Sequence, residues 1–128
     1  SVRLEDGLGE HLNPEWFDEY PDTLSHGELS ERFPRIAPEY SPLLEPSFPE
    51  THDEAERRIG EAARQIVAET SAKRVLLVGH GATIGGVTAG LVGSTDGLGA
   101  PLAGLTELRQ RENGWHVIRS GDTDHLET

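Results

Sequence analysis

The sequence contains no cysteine, no methionine and a single lysine, Lys73, and its aromatic residues are two Trp, two Tyr and three Phe. Without cysteine there is no disulfide framework, no thiolate nucleophile and no thiolate metal site. No apolar run approaches the ~20 residues needed to cross a bilayer, and no signal-peptide pattern opens the chain. The expectation is a soluble, cytoplasmic protein without membrane contact. A basic cluster is also lacking: 11 Lys+Arg stand against 23 Asp+Glu, a formal net charge of −12. Nucleic-acid binding by phosphate neutralisation needs the opposite sign, so no nucleic-acid partner is expected. Apolar residues make up only 34% of the 128. That length suits one domain, but the composition promises a small core.

Glycine (15) and proline (8) are present without the abundance of a fibrous or wholly disordered chain. Proline placement divides the sequence. Val2 to Leu4 is a short β-like run closed by Glu5-Asp6-Gly7, a turn signal. Prolines at 14, 21, 34, 38, 42, 46 and 49 then forbid long helices and central strands. Two short helices fit there, Pro14–Tyr20 with Asn13 as cap, and Ser25–Phe33. So long an irregular stretch suits a substrate-binding excursion. From Thr51 to about Thr70 the pattern is helical. Thr51 and Glu54 form a capping-box signature, and Ala55, Ile59, Ala62, Ala63, Ile66 and Val67 make one apolar face. Arg57 and Arg58, early on this helix, read as solvated. Val75-Leu76-Leu77-Val78 reads as a buried parallel strand, and Ala82 to Val92 as the next helix. Gly93–Gly104 is a loop. Asn113-Gly114, between Leu105–Glu112 and Trp115–Arg119, predicts a hairpin.

Chemistry concentrates where the aliphatic run meets Gly79-His80-Gly81 and a helix begins. In open α/β sheets ligands bind beyond the carboxyl ends of strands, and a helix N-terminus suits an anion such as phosphate. His80 stands at that edge, able to donate a hydrogen bond or carry charge near neutral pH. His11, His52, His116 and His125 show no metal-ligand spacing and read as surface residues. Gly79-x-Gly81-x-x-x-Gly85 departs from the dinucleotide fingerprint and has no βαβ unit ahead of it, which leaves a nicotinamide-dependent oxidoreductase as a minor alternative. The nucleophile elbow G-x-S-x-G fails, since no serine stands in the turn.

Arg74 to Ile84 (RVLLVGHGATI) resembles the second histidine motif of the histidine phosphatase superfamily, which includes the cofactor-dependent phosphoglycerate mutases. Three further stretches agree in the same order. Val2–Glu10 (VRLEDGLGE) is similar to the segment ending in the family's acidic proton donor. Pro49–Arg58 (PETHDEAERR) resembles the start of the helix before the second histidine. Trp115–Leu126 (WHVIRSGDTDHL) resembles the closing strand and tail.

The resemblance implies a three-layer α/β/α sandwich around a mainly parallel sheet. It implies phosphomonoester hydrolysis through a phosphohistidine, on small organic phosphates, with no metal or other cofactor. His80 matches the second histidine, a phosphate ligand. Gly81 and Ala82 match positions whose backbone amides approach the phosphate, and Glu10 matches the acid. No residue matches the nucleophile: there is no Arg-His-Gly, and the other His-Gly, His26-Gly27, follows Ser25 in the proline-broken region. The Ser-Pro-x-x-Arg arginine is also missing. The chain opens Ser1-Val2-Arg3-Leu4, inside a strand and without Met. It is therefore expected to be the C-terminal part of one histidine phosphatase domain, with residues 1–50 carrying the acid and the excursion and 51–128 the His-Gly unit and hairpin. Such a piece is expected to be inactive alone and to expose a sheet edge at Val75–Val78, open to self-association. A non-catalytic remnant that binds phosphate or a partner is the other reading.

Overall fold

The computed structural model describes residues 1–127. Its elements run α1 (His26–Arg32), α2 (His52–Glu69), α3 (Gly81–Val92), β1 (Leu105–Arg111) and β2 (Gly114–Asp122), with single 3-10 turns at Asp6–Leu8 and Asp124–Leu126.

The start of α2 follows from its first residues. Thr51 Oγ1 accepts from the Glu54 N–H (3.1 Å), and Glu54 Oε1 accepts from the Thr51 N–H (3.1 Å). Its apolar stripe then buries Ala55, Ile59, Ala62 and Ala63. Against it lies α3, a helix of small residues, and the two meet backbone to backbone. A Cβ on Gly90 would stand 2.5 Å from Gly60 Cα, and one on Gly86 would stand 2.5 Å from Ile59 Cβ. Leu8 completes the core from the 3-10 turn, with Leu44, Ile66, Leu77, Ala82 and Val87 around it. The core is as small as the apolar content implies.

Helix α1 is capped by Ser25, whose Oγ accepts from the Glu28 N–H (3.1 Å), and it buries none of its residues. At Pro14 only a turn forms. Asn13 Oδ1 accepts from the Glu15 N–H as a cap should (2.9 Å), but the expected helix to Tyr20 does not propagate. Trp16 and Tyr20 in the segment stay half or more exposed, so little packing supports it, and a lone turn is not self-sustaining. The later part of the excursion is tied down by the Glu5 carboxylate. Glu5 accepts from the Tyr40 hydroxyl and from the N–H groups of Leu43 (2.8 Å) and Leu44 (3.2 Å).

The predicted hairpin forms, but its loop is Glu112-Asn113, one position earlier than expected: Arg111 pairs with Gly114, which opens β2 at φ +113°, where a side chain would be strained. Strand β2 runs on to Asp122, past its expected end at Arg119.

The sheet differs from expectation. Among the described residues the ladder is this antiparallel pair alone, and a mainly parallel three-layer sandwich is not seen. Val75–Val78 forms no strand, and no strand lies beside it. Leu77 packs on the core while Leu76 and Val78 are 78% and 84% exposed. The reason is partnership: Val2, the other candidate neighbour, bridges Ile36 instead. A strand without a ladder cannot define a layer. No described helix is long and apolar enough to cross a membrane.

Candidate functional site

His80 is the N-cap residue of α3, in extended backbone (φ −93°, ψ 178°). Its Nδ1 lies 3.1 Å from Glu10 Oε2. The other Glu10 oxygen, Oε1, accepts from the His11 N–H (2.9 Å), so both carboxylate oxygens are engaged. The imidazole and the carboxylate stand within ion-pair distance through Nδ1 and Oε2. The imidazole Nε2 remains to meet a ligand.

Two devices bring these residues together from distant parts of the chain. The first is Thr83, whose side chain is buried. Its Oγ1 accepts from the His80 N–H (2.9 Å) and donates to the Leu8 carbonyl (2.7 Å), which joins the turn of His80 to the segment of Glu10. Gly79 leaves room for that hydroxyl, since a Cβ there would fall 2.7 Å from Thr83 Cβ.

The second is Arg58. Its guanidinium donates to Glu50 Oε2 from Nε (2.7 Å) and to Glu50 Oε1 from Nη2 (2.8 Å). It donates also to the carbonyls of Gly7 (2.9 Å), Gly9 (3.1 Å) and Glu10 (3.0 Å). The paired side chains are only 8% and 5% exposed. Glu50 Oε1 accepts further from the Leu12 N–H (3.1 Å), and the Glu50 carbonyl meets His11 Nε2 (2.9 Å). Burial alone would push the Glu50 carboxyl up. The Arg58 hydrogen bonds, with the Leu12 amide and the nearby positive charge, outweigh it and hold the group below its ordinary value. Residues 7–12 are therefore gripped along their backbone by α2.

Arg58 is thus not the solvated residue the sequence suggested, although Arg57 is exposed. The signal was available. Arg58 stands three after Ala55 and four before Ala62, on the apolar stripe itself. His11 likewise is buried rather than on the surface, because the Glu50 carbonyl satisfies its ring inside. Three other histidines lie elsewhere: His26 pairs with Asp6 (2.7 Å), His116 with Asn113 (2.8 Å) and His125 with the Ala103 carbonyl (2.8 Å).

Beside the Glu10–His80 pair lies a cleft of about 390 Å³, lined by Glu10, His11, Trp16, His52, Gly81 and Ala82 among others. The structure therefore gathers His80, Glu10, Gly81 and Ala82 at one place, at the first turn of α3. The early N–H groups of a helix have no partners within it and favour negative charge. No βαβ unit precedes the Gly79–Gly85 segment among the described residues, so the dinucleotide reading has no structural support.

A family model for the histidine phosphatase superfamily (branch 1) matches residues 1–123. The chain belongs to this superfamily. No curated protein and no solved structure matches it. A phosphatase-like chemistry, broadly of the hydrolase or mutase kind, follows from membership of the histidine phosphatase superfamily. Three of the four segments that carry the resemblance line the cleft, namely Val2–Glu10, the start of α2 and the His80 turn, while Trp115–Leu126 does not.

Proposed function

We propose that this chain forms the phosphoryl-holding and proton-donating part of a phosphomonoesterase acting on small organic phosphates. The observation that carries the reading is the 3.1 Å approach of Glu10 to His80 at the N-terminus of α3. In this reading a histidine of an Arg-His-Gly segment, which residues 1–128 do not contain, attacks phosphorus. The phosphorus–oxygen bond of the ester breaks as the phosphorus–nitrogen bond forms, and Glu10, protonated, gives its proton to the leaving oxygen. Glu10 then takes a proton from the water that attacks the phosphohistidine, which releases inorganic phosphate and restores both groups. His80, with the amides of Gly81 and Ala82, holds the phosphoryl oxygens, so developing charge meets donors already in place. Val75–Val78 belongs, in the intact domain, to a mainly parallel sheet within a three-layer fold, and the bare strand seeks that partner or a second copy.

Hydrolysis is preferred over transfer between positions of a phosphoglycerate. Residues 11–50 hold only Arg32 and Arg35 as cations, and both are exposed and away from the cleft lining. The test has two parts. Inorganic phosphate titrated into the chain should bind saturably, and His80→Ala should abolish that binding. The chain alone should not turn over p-nitrophenyl phosphate; sustained turnover lost in His80→Ala would overturn the assignment of the nucleophile elsewhere. The missing Arg-His-Gly also favours a second reading, a non-catalytic phosphate-binding module. That reading requires the intact protein to bind phosphate without hydrolysing the aryl ester.

A further inference from the structure

The shape and charge of the cleft narrow the alcohol half of the substrate. Resting on the reading above, we infer that this half is a flat aromatic group, uncharged or cationic, seated between the Trp16 ring and the first turns of α3.

One wall of the cleft is made of rings. His11 stands edge-on to Trp16 (centroids 5.4 Å, 67°) and to His52 (6.1 Å, 83°). His11 itself is buried and fixed through Nε2 to the Glu50 carbonyl, so the wall has a rigid footing. Trp16 rises from the turn after Asn13 with 61% of its surface exposed, an apolar plane that serves no core. The part of the lining that α3 supplies, Gly81, Ala82, Gly85 and Gly86, is nearly without side chains. Gly81 and Gly85 lie on the lining, and a Cβ at either would meet nothing within 4 Å. Bare helix backbone and a ring cluster lining one cleft suit a planar group, which can stack on the rings and lie against the backbone. The volume of about 390 Å³ falls in the range of small-molecule sites.

Charge decides which planar groups fit. Two carboxylates, Glu10 and Glu56, line the cleft, and neither lysine nor arginine does among the described residues. A second phosphate or a carboxylate on the alcohol half would face Glu56 without a compensating cation. A neutral ring or one carrying an ammonium would not. An aryl phosphate therefore fits where a phosphoglycerate does not.

The experiment titrates the chain, with Trp115→Phe so that Trp16 is the sole tryptophan, with inorganic phosphate, phenyl phosphate and 3-phosphoglycerate. Phenyl phosphate should bind about tenfold tighter than inorganic phosphate, the factor one good aromatic stack supplies, and should quench Trp16. By calorimetry, Trp16→Ala should bring phenyl phosphate to parity with inorganic phosphate without changing the latter, and Trp16→Phe should restore most of the difference. 3-Phosphoglycerate should bind more weakly than inorganic phosphate and recover in Glu56→Gln. Inorganic phosphate binding without any preference for the phenyl ester, or a preference indifferent to Trp16→Ala, overturns the inference and leaves the proposed function standing. Failure of all three anions to bind removes both.

Discussion

Arg58→Met tests whether the clamp on residues 7–12 is what holds Glu10 in register. The substitution keeps most of the side-chain length and removes five hydrogen bonds, two to Glu50 and three to backbone carbonyls. Taking one partner from a buried ion pair costs about 3–5 kcal/mol, because the other charge stays inside unpaired. The carbonyls add to this in unequal measure. Gly7 is buried, whereas Gly9 and Glu10 lie where water can reach. A loss of about 4 kcal/mol would take a large part of a domain's usual net stability of about 5–15 kcal/mol. Urea unfolding followed by circular dichroism should show the midpoint falling with little change in slope.

The pH dependence gives a second handle with a definite sign. Glu50 is held below its ordinary value of 4.5, so its stabilising contribution is present above that value and lost as the pH falls through the lowered one. In Arg58→Met only burial and weaker partners remain and Glu50 moves upward, so the gap between variant and parent should narrow in acid. Arg58→Met combined with Glu50→Leu should recover much of the stability, since a buried pair exchanged for apolar groups is often neutral. It should not recover phosphate binding, because the Glu10 carbonyl is still without its donor. An Arg58→Met protein within about 1 kcal/mol of the parent would refute the clamp, since even a modest buried pair exceeds that figure.

Thr83→Val keeps the shape of the side chain but leaves the Leu8 carbonyl and the His80 N–H without their shared partner. A loss of about 1–3 kcal/mol in thermal or urea unfolding is expected, together with weaker phosphate binding. Gly90→Ala drives a Cβ to 2.5 Å from Gly60 Cα and should cost about 1–3 kcal/mol despite a better helix former, as read from the unfolding midpoint. Gly85→Ala, which meets nothing within 4 Å, should instead gain up to about 1 kcal/mol. Tyr40 is pushed up to about 12 by burial and by its hydrogen bond to Glu5. Its contribution is present below the ordinary 10.0 and lost as the pH rises through about 12. An absorbance titration near 295 nm should therefore show a late tyrosinate step that vanishes in Tyr40→Phe.

What was legible in the sequence is what local chemistry dictates. The Thr51–Glu54 box and the spacing of Ala55, Ile59 and Ala62 are short-range signals, and α2 formed on them. Asn113-Gly114 signals a hairpin within two residues, and the hairpin followed with its loop one position earlier. The convergence of Glu10 and His80 was legible through the resemblance rather than through spacing, since a separation of seventy positions along the chain says nothing about distance. The rest depended on partners far along the chain. Whether an arginine on an apolar stripe is solvated or buried is decided by Glu50 and three carbonyls contributed by residues 7–10. His11 is inside because a carbonyl 39 positions away receives its ring. Val75–Val78 announces a strand by composition, but pairing requires a neighbour, and composition does not supply one.

The clamp has a corollary for how this site can vary. Arg58 holds residues 7–10 through main-chain oxygens, which every amino acid possesses. The anchorage is thus blind to the side chains it secures, apart from Gly7, where a Cβ would collide with Ala62 Cβ at 2.9 Å. Substitutions at Leu8 and Gly9 can alter packing, or the rim of the cleft, while the acid keeps its address.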